Sequence, residues 1–186
     1  TDLVGAVQGH HIGVRGVILD SVKADLTHSD NLTNITMVGN MGSGSFSGYG
    51  SIQNGQVDAT VSGNALPLTS LSPIIGEDVA GTLSTSINVK GALDNPNVTG
   101  TVWGQEILYK GAHFNDIHSD ITLDNHVLTI TNGHIGDGSG GYDITGWYNI
   151  NTDALDLNAK ARAVRIENLI RPVTDIPITG WFETDN

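Results

Sequence analysis

Residues 142–150, "YDITGWYNI", alternate strictly. Tyr142, Ile144, Gly146, Tyr148 and Ile150 fall to one side of an extended chain, and Asp143, Thr145, Trp147 and Asn149 to the other. The same period returns in "ALDLNAKARA", where Leu155, Leu157, Ala159, Ala161 and Ala163 alternate with Asp156, Asn158, Lys160 and Arg162. "DIHSDITLD" groups Ile117, Ile121 and Leu123, and "VLTITN" groups Leu128 and Ile130. A period of two suits half-buried strands and is incompatible with an amphipathic helix. Short Asx and Gly breaks at "DNH", "GDGSGG" and "NTD" separate the runs at the spacing of an antiparallel meander. The 24 glycines and the many Thr, Val and Ile residues fit tight turns and strands. "PLTSLSPI" and "RIENLIRP" read as one short turn of helix each at most.

The chain also resembles itself. Gly5, Gly9 and Gly16 stand 95 residues before Gly100, Gly104 and Gly111, and "DSVKADL" (20–26) precedes "NDIHSDI" (115–121) by the same interval. One residue further along, Phe46 and Gly50 match Tyr142 and Gly146. Ala65, Leu68 and Leu71 of "NALPLTSLSP" match Ala163, Ile166 and Leu169 of "KARAVRIENLIRP", and "VAGTL" (79–83) matches "ITGWF" (178–182). Order is kept over the whole length, which predicts two copies of one β unit, residues 1–90 and 91–186, in one continuous repetitive sheet. "GALDNPNVTG" (91–100) is then a handover between repeats. The second copy stops at "GWFETDN", where the first runs on, and Thr1 is no natural start; both lead us to expect a piece of a longer array.

Lys and Arg number 8 against 20 Asp and Glu, a formal net charge of −12, which argues against nucleic acid and against anionic lipid head groups as partners. Without cysteine there is no disulfide and no thiolate metal site. No apolar run approaches the roughly 20 residues of a membrane-spanning helix.

"VAGTLSTSINVKGALDNPNVTGTV" followed by "FNDIHSDITLDNHVLTITNGHIGDGSGGYDITGWYNI" resembles the TamB family, the translocation and assembly module proteins of double-membraned bacteria, within the AsmA-like group. The motifs that carry the resemblance are a Gly-x-Leu-x-Asn-Pro-x-Val-x-Gly turn (Gly91, Leu93, Asn95, Pro96, Val98, Gly100) and an Asp-Ile-x-x-x-Ile-x-Leu strand (Asp116, Ile117, Ile121, Leu123). Gly136, Gly138, Tyr142 and Gly146 follow in family order; the match is good over 77–186 and fainter over 1–76. The resemblance implies an all-β antiparallel sheet curled into a half-open, β-taco-like groove with an apolar interior. It implies a periplasmic protein anchored in the inner membrane by a segment outside this stretch. It further implies transport of phospholipid between the membranes and assembly of outer-membrane proteins with a barrel partner of the TamA or BamA kind.

The residues themselves agree with an apolar trough. Inward positions are often Val, Ala or Gly, and aromatics are 5% of the chain, which leaves room along the axis. An aliphatic void suits acyl chains, at about 0.8 kcal/mol per buried methylene. The alternative is a collapsed core that fills itself. The groove lining expected from the second copy is Ile117, Ile121, Leu123, Leu128, Ile130, Tyr142, Ile144, Leu155 and Leu157; from the first it is Val22, Leu26, Ile35, Phe46, Val57 and Val61.

Other chemistries are weaker. His10 and His11 are neighbours on a strand and point to opposite faces, while His113, His118, His126 and His134 lack a carboxylate partner in sequence. No metal site or cofactor is expected. "GDGSGGYD" offers Asp137 and Asp143 but does not repeat as calcium solenoids do, and reads as a mobile hairpin or bulge. No Gly-x-Ser-x-Gly elbow or local nucleophile–base set appears, so no enzyme is expected. "NLT", "NIT" and "NVT" fit the glycosylation pattern but are bystanders in a bacterial protein. Two rival readings stand beside acyl-chain transport. One is a chaperone for nascent outer-membrane strands, which would also pair with a free sheet edge. The other is a surface passenger or adhesin solenoid, whose coils usually repeat every 20–30 residues or so.

Overall fold

The computed structural model describes residues 2–75, 78–170, 180–182 and 184. Eleven strands pair in chain order into one antiparallel sheet. They are β1 (Leu3–Val14), β2 (Val17–Ser29), β3 (Leu32–Met41), β4 (Gly44–Gln53), β5 (Gln56–Pro67), β6 (Val79–Ala92), β7 (Asn95–Tyr109), β8 (Ala112–Asp124), β9 (Val127–Gly136), β10 (Gly141–Asn149) and β11 (Leu155–Arg162). Helix α1 (Leu68–Ile75) lies between β5 and β6. After β11 come β12 (Val164–Arg165), helix α2 (Ile166–Ile170) and β13 (Trp181–Phe182), the two short strands pairing with each other. Among the described strands the large sheet does not close, with β1, paired to β2, at one end of the order and β11, paired to β10, at the other. The fold is therefore all-β, a repetitive antiparallel meander that remains open.

Two-residue turns set the register. Arg15 and Gly16 have φ of 49° and 86°, and Asp30 and Asn31 have 47° and 69°. Positive φ at both central residues gives the primed turns whose twist matches that of the strands they join. Strands β8 and β9 begin and end 95 residues after β2 and β3, and Lys110–Gly111 and Asn125–His126 repeat those two turns at the same interval. The sheet runs without interruption across the turn at residues 93–94, where β6 meets β7 from Val79↔Tyr109 to Ala92↔Asn95.

The sheet curls, and α1 shows how far. The helix packs on β6 and also on β2, four strands away in the sheet. Four strand spacings would be about 19 Å on a flat sheet, whereas eight residues of helix span about 12 Å. Contact with both strands fits a sheet curled around the helix. Helix α2 likewise reaches β8, three strands from β11. Two turns pack closely on α1 and its entry: a Cβ on Gly16 would come within 2.8 Å of Pro73 in the helix, and one on Gly42 within 2.9 Å of Pro67 at the end of β5.

The two ends of the curl differ. Val17, Met41, Leu68, Ile107, Ala112, Ala161 and Val164, the buried apolar residues, all lie at the helix end. Towards the opposite end, with turns at residues 30–31, 54–55, 93–94 and 125–126, the sheet is half-buried at most. The accessible surface is 11313 Å². A compact monomer of this mass exposes about 8,500 Å², so the chain leaves far more surface open than a filled globule.

Strict alternation fails at five places. His11, Ala65, Glu106, Asn132 and Ala163 have φ between 47° and 53° at strand irregularities or ends. A left-handed residue turns the chain so that positions three apart share a face. A Cβ on Gly9 would sit 2.5 Å from Ile12, one on Gly63 2.5 Å from Leu66, and one on Gly104 3.1 Å from Ile107. Ala163 likewise ends its alternating run, and Val164 takes the buried place. Ile150 lies beyond β10 in the following turn, 48% exposed.

Candidate functional site

Cross-strand partners in an antiparallel sheet share a face, so the register can be read straight across the molecule. One row runs Val7, Ala24, Met37, Gly48, Val61, Ile87, Gly100, Ile121, Ile130, Gly146, Leu157. The next row on the same face runs Gly5, Leu26, Ile35, Gly50, Ala59, Val89, Val98, Leu123, Leu128, Tyr148, Leu155. Neither contains an Asp, Glu, Lys or Arg. Between them, on the other face, runs Ala6, Asp25, Thr36, Tyr49, Thr60, Asn88, Thr99, Thr122, Thr129, Trp147, Asp156. One face is a continuous aliphatic surface eleven strands wide, and the other is a threonine-rich, charged one.

The pairing brings the fifteen expected lining residues onto the aliphatic face. Val61, Ile121, Ile130 and Leu157 stand in the first row, and Leu26, Ile35, Leu123, Leu128 and Leu155 in the second. Val22 and Phe46 flank Gly39, Val57 pairs with Ile52, Ile117 pairs with Ile135, Tyr142 pairs with Ile135, and Ile144 pairs with Ala159. Val7, Ala24, Met37, Ile87, Val89 and Val98 belong to the same surface and were missed, although "SINVKGA" carries the same alternation. The glycines of the rows were missed too. At Gly50 an added Cβ would meet that of Ala59 at 2.5 Å, so glycine there is what lets β4 and β5 close together.

This face is half-exposed. Ile35 and Val61 are 36% and 37% exposed, and among the described residues no second sheet lies over them. Ile35, Met37, Ile52, Val57, Ala59 and Val61, with Gly48 and Gly50 between them, surround a wholly apolar hollow of about 170 Å³. Larger hollows lie elsewhere. One of about 440 Å³ is lined by Gln8, Ser21, Lys23, Asn40, Ser45, Ser47, Ser62 and Asn64 together with Val22, Val38 and Phe46, and Lys23 is held 3.7 Å from Asp25. It offers hydroxyls and amides but no acid–base pair.

The histidines find partners that sequence spacing did not show. His134 Nδ1 lies 3.0 Å from Asp143 Oδ1, and His113 Nε2 lies 3.0 Å from Glu106 Oε2, each across neighbouring strands. The His134 hydrogen bond, helped by Arg162, holds Asp143 below the usual carboxylate range. The His118 ring stacks on His134 at 5.2 Å. Among the described residues no three His, Cys, Asp or Glu side chains converge to hold a metal.

The glycine-rich turn after β9 is anchored, not loose. Asp137 is 6% exposed; its Oδ1 accepts from the amides of Ser139 (3.1 Å) and Gly140 (2.9 Å), and its Oδ2 from that of Arg165 (2.7 Å). Burial pushes its carboxyl up, but those amides and the Asn168 side chain outweigh burial and leave it below the ordinary value. The carboxylate thus ties the turn to the entry of α2. Burial and the charge of Asp137 push the neighbouring Tyr142 hydroxyl up to about 12, and that hydroxyl has no hydrogen-bond partner.

Comparison with protein-family models, curated proteins and solved structures finds no match. No helix among the described residues is long and apolar enough to cross a membrane.

Proposed function

We propose that the chain is a non-catalytic conduit of the TamB-like kind, carrying phospholipid acyl chains along its aliphatic face between the two membranes of a bacterial envelope. The observation that supports this reading is the pair of uncharged rows crossing all eleven strands on one half-exposed face. A self-filled core would bury that face, and an adhesin would present its binding chemistry on the outside. Here the two rows carry no charge to desolvate, and their one polar side chain, Tyr148, already donates its hydroxyl to Asp153. The surface accepts hydrocarbon of any length in register with the trough, each buried methylene contributing about 0.8 kcal/mol. Supporting the assembly of outer-membrane proteins with a barrel partner, and anchorage of the whole protein in the inner membrane, belong to the same proposal. The test is mass spectrometry of lipid extracted from protein purified without detergent. Phospholipid retained by the wild type and lost from the Ile144→Asp variant is the expected result. A lipid-free protein that also fails to bind a fluorescent fatty acid would rule the reading out.

A further inference from the structure

We propose that the polar outer face of the sheet binds a linear, uncharged polysaccharide, held chiefly over β8, β9 and β10. The proposal uses the face opposite the aliphatic rows, so it stands or falls apart from acyl-chain transport. One register row on the outer face runs Trp103, His118, His134, Asp143, Lys160. Beside it on β9, Asn132 is left-handed, with φ of 50°, and its side-chain amide donates to Asp120 at 2.7 Å. A hollow of about 380 Å³ lies at this irregularity, edged by His118, Asn132, His134, Asp143 and Thr145, its other lining residues being Gly133 and Ile144. Bulges recur beside functional sites because they re-aim side chains in an otherwise regular ladder. Two of the chain's three tryptophans flank this hollow. Trp103 pairs with His118 and is 48% exposed; Trp147 stands two residues beyond Thr145 on the same face of β10 and is 39% exposed. Ordinary sheet spacings put the two indoles about 20 Å apart. In the row of Trp147 the neighbouring strands carry Thr122 and Thr129, so the wet face itself does not call for an indole.

The first unit repeats the arrangement on β2, β3 and β4. The polar edge of its 440 Å³ hollow includes Lys23, Ser45 and Ser47. Lys23 precedes His118 by 95 residues, and Ser45, Ser47 and Tyr49 precede Asp143, Thr145 and Trp147 by 98. Tyr49 is 65% exposed, so a polar hollow with an open ring beside it occurs once in each unit. These groups select the ligand. Indole faces take the C–H faces of sugar rings, while the carboxylate, carboxamide, imidazoles and hydroxyl offer ring hydroxyls both donors and acceptors. Cations that could hold a polyanion already face carboxylates: Arg162 lies 3.6 Å from Asp143 and Lys23 lies 3.7 Å from Asp25. The net charge of −12 repels such a polymer further. A chain of sugars, not a single one, is implied by the separation of the two indoles and by the recurrence of the hollow, since linked contacts raise affinity together.

The test is calorimetric titration of the whole chain with cellohexaose and with chitohexaose, tryptophan emission serving as a second readout. At least one of these neutral oligomers should bind saturably. Trp103→Ala and Trp147→Ala should each weaken that binding about tenfold. Trp181→Phe, in the separate two-stranded sheet, should leave it unchanged. Both indoles of the outer face are exposed, so circular dichroism of the two alanine variants should match the wild type. An oligomannuronate, which carries a carboxylate on every ring, should bind more weakly than the neutral oligomer. No saturable binding of either neutral oligomer at millimolar concentration, an affinity indifferent to both alanine substitutions, or tighter binding of the oligomannuronate would each overturn the proposal.

Discussion

Ala65 sits in a backbone conformation that an L-residue resists, at φ 47°, and its amide donates to Ser84 Oγ at 2.9 Å. The turn it makes keeps Leu66 on the aliphatic face beside Gly63. Glycine has no Cβ to penalise there, so Ala65→Gly should stabilise the chain by about 1 kcal/mol, read as a higher urea midpoint with an unchanged slope. Ala65→Pro, whose ring fixes φ near −65°, should lower it sharply. Tyr142 gives a prediction in pH. Its hydroxyl ionises near 10 in the unfolded chain and at about 12 in the folded one. The folded state thus holds its proton more tightly, a contribution complete below pH 10 and lost as pH rises through 12. Tyr142→Phe should flatten the fall in stability between those values, and with no hydrogen bond to lose it should fold normally at neutral pH. A wild-type curve already flat there would contradict the burial of that hydroxyl.

At the scale of an element, β10 separates groove from core. Ile144 pairs with Ala159 on the aliphatic face, and Thr145, its neighbour, is exposed on the other. Ile144→Asp places a carboxylate where it must be desolvated or hydrated at the expense of cargo, whereas Thr145→Asp adds one charge to a wet surface. Both variants should fold by circular dichroism, and on the proposed acyl-chain transport only Ile144→Asp should lose the phospholipid that co-purifies with the wild type. If Ile144→Asp unfolds, the face is a self-filled core. The Asp137 turn governs a second element. Asp137→Ala leaves the amides of Ser139, Gly140 and Arg165 without that acceptor in a part-buried turn and should cost roughly 1–2 kcal/mol, loosening α2 first by amide exchange. Asp137→Asn, which keeps an acceptor oxygen, should cost less. Because the folded carboxyl lies below its ordinary value, its contribution is present above the unfolded carboxylate range and is lost as pH falls through the folded value.

For the whole molecule, the asymmetry between ends matters most. Helices α1 and α2 bury side chains at one end, while the rows towards the turns stay half-open. Stability therefore resides at the helix end, and amide protection should fall from there towards the turns. Chelator should leave the melting temperature unchanged, because among the described residues no three His, Cys, Asp or Glu side chains converge. A large drop with EDTA would reveal a ligand set that the described residues do not account for.

Alternation alone determined that the chain is built of strands and which residues share a face, because side chains in an extended backbone point alternately whatever surrounds them. Within each run spacing alone groups Ile117 with Ile121, Leu128 with Ile130 and Leu155 with Leu157; that Ile121, Ile130 and Leu157 stand in one row is decided by strand pairing. Three things belonged to tertiary structure. The left-handed turns at His11, Ala65 and Glu106 are set by how neighbouring strands must coil, and no preference of His, Ala or Glu announces them. The partners of His113 and His134 come from register across a turn, and Asp137 is held by the amide of Arg165, 28 residues on at the end of β12. The curl itself depends on α1 touching β2 and β6 at once, a contact between residues far apart in sequence that local pattern does not encode.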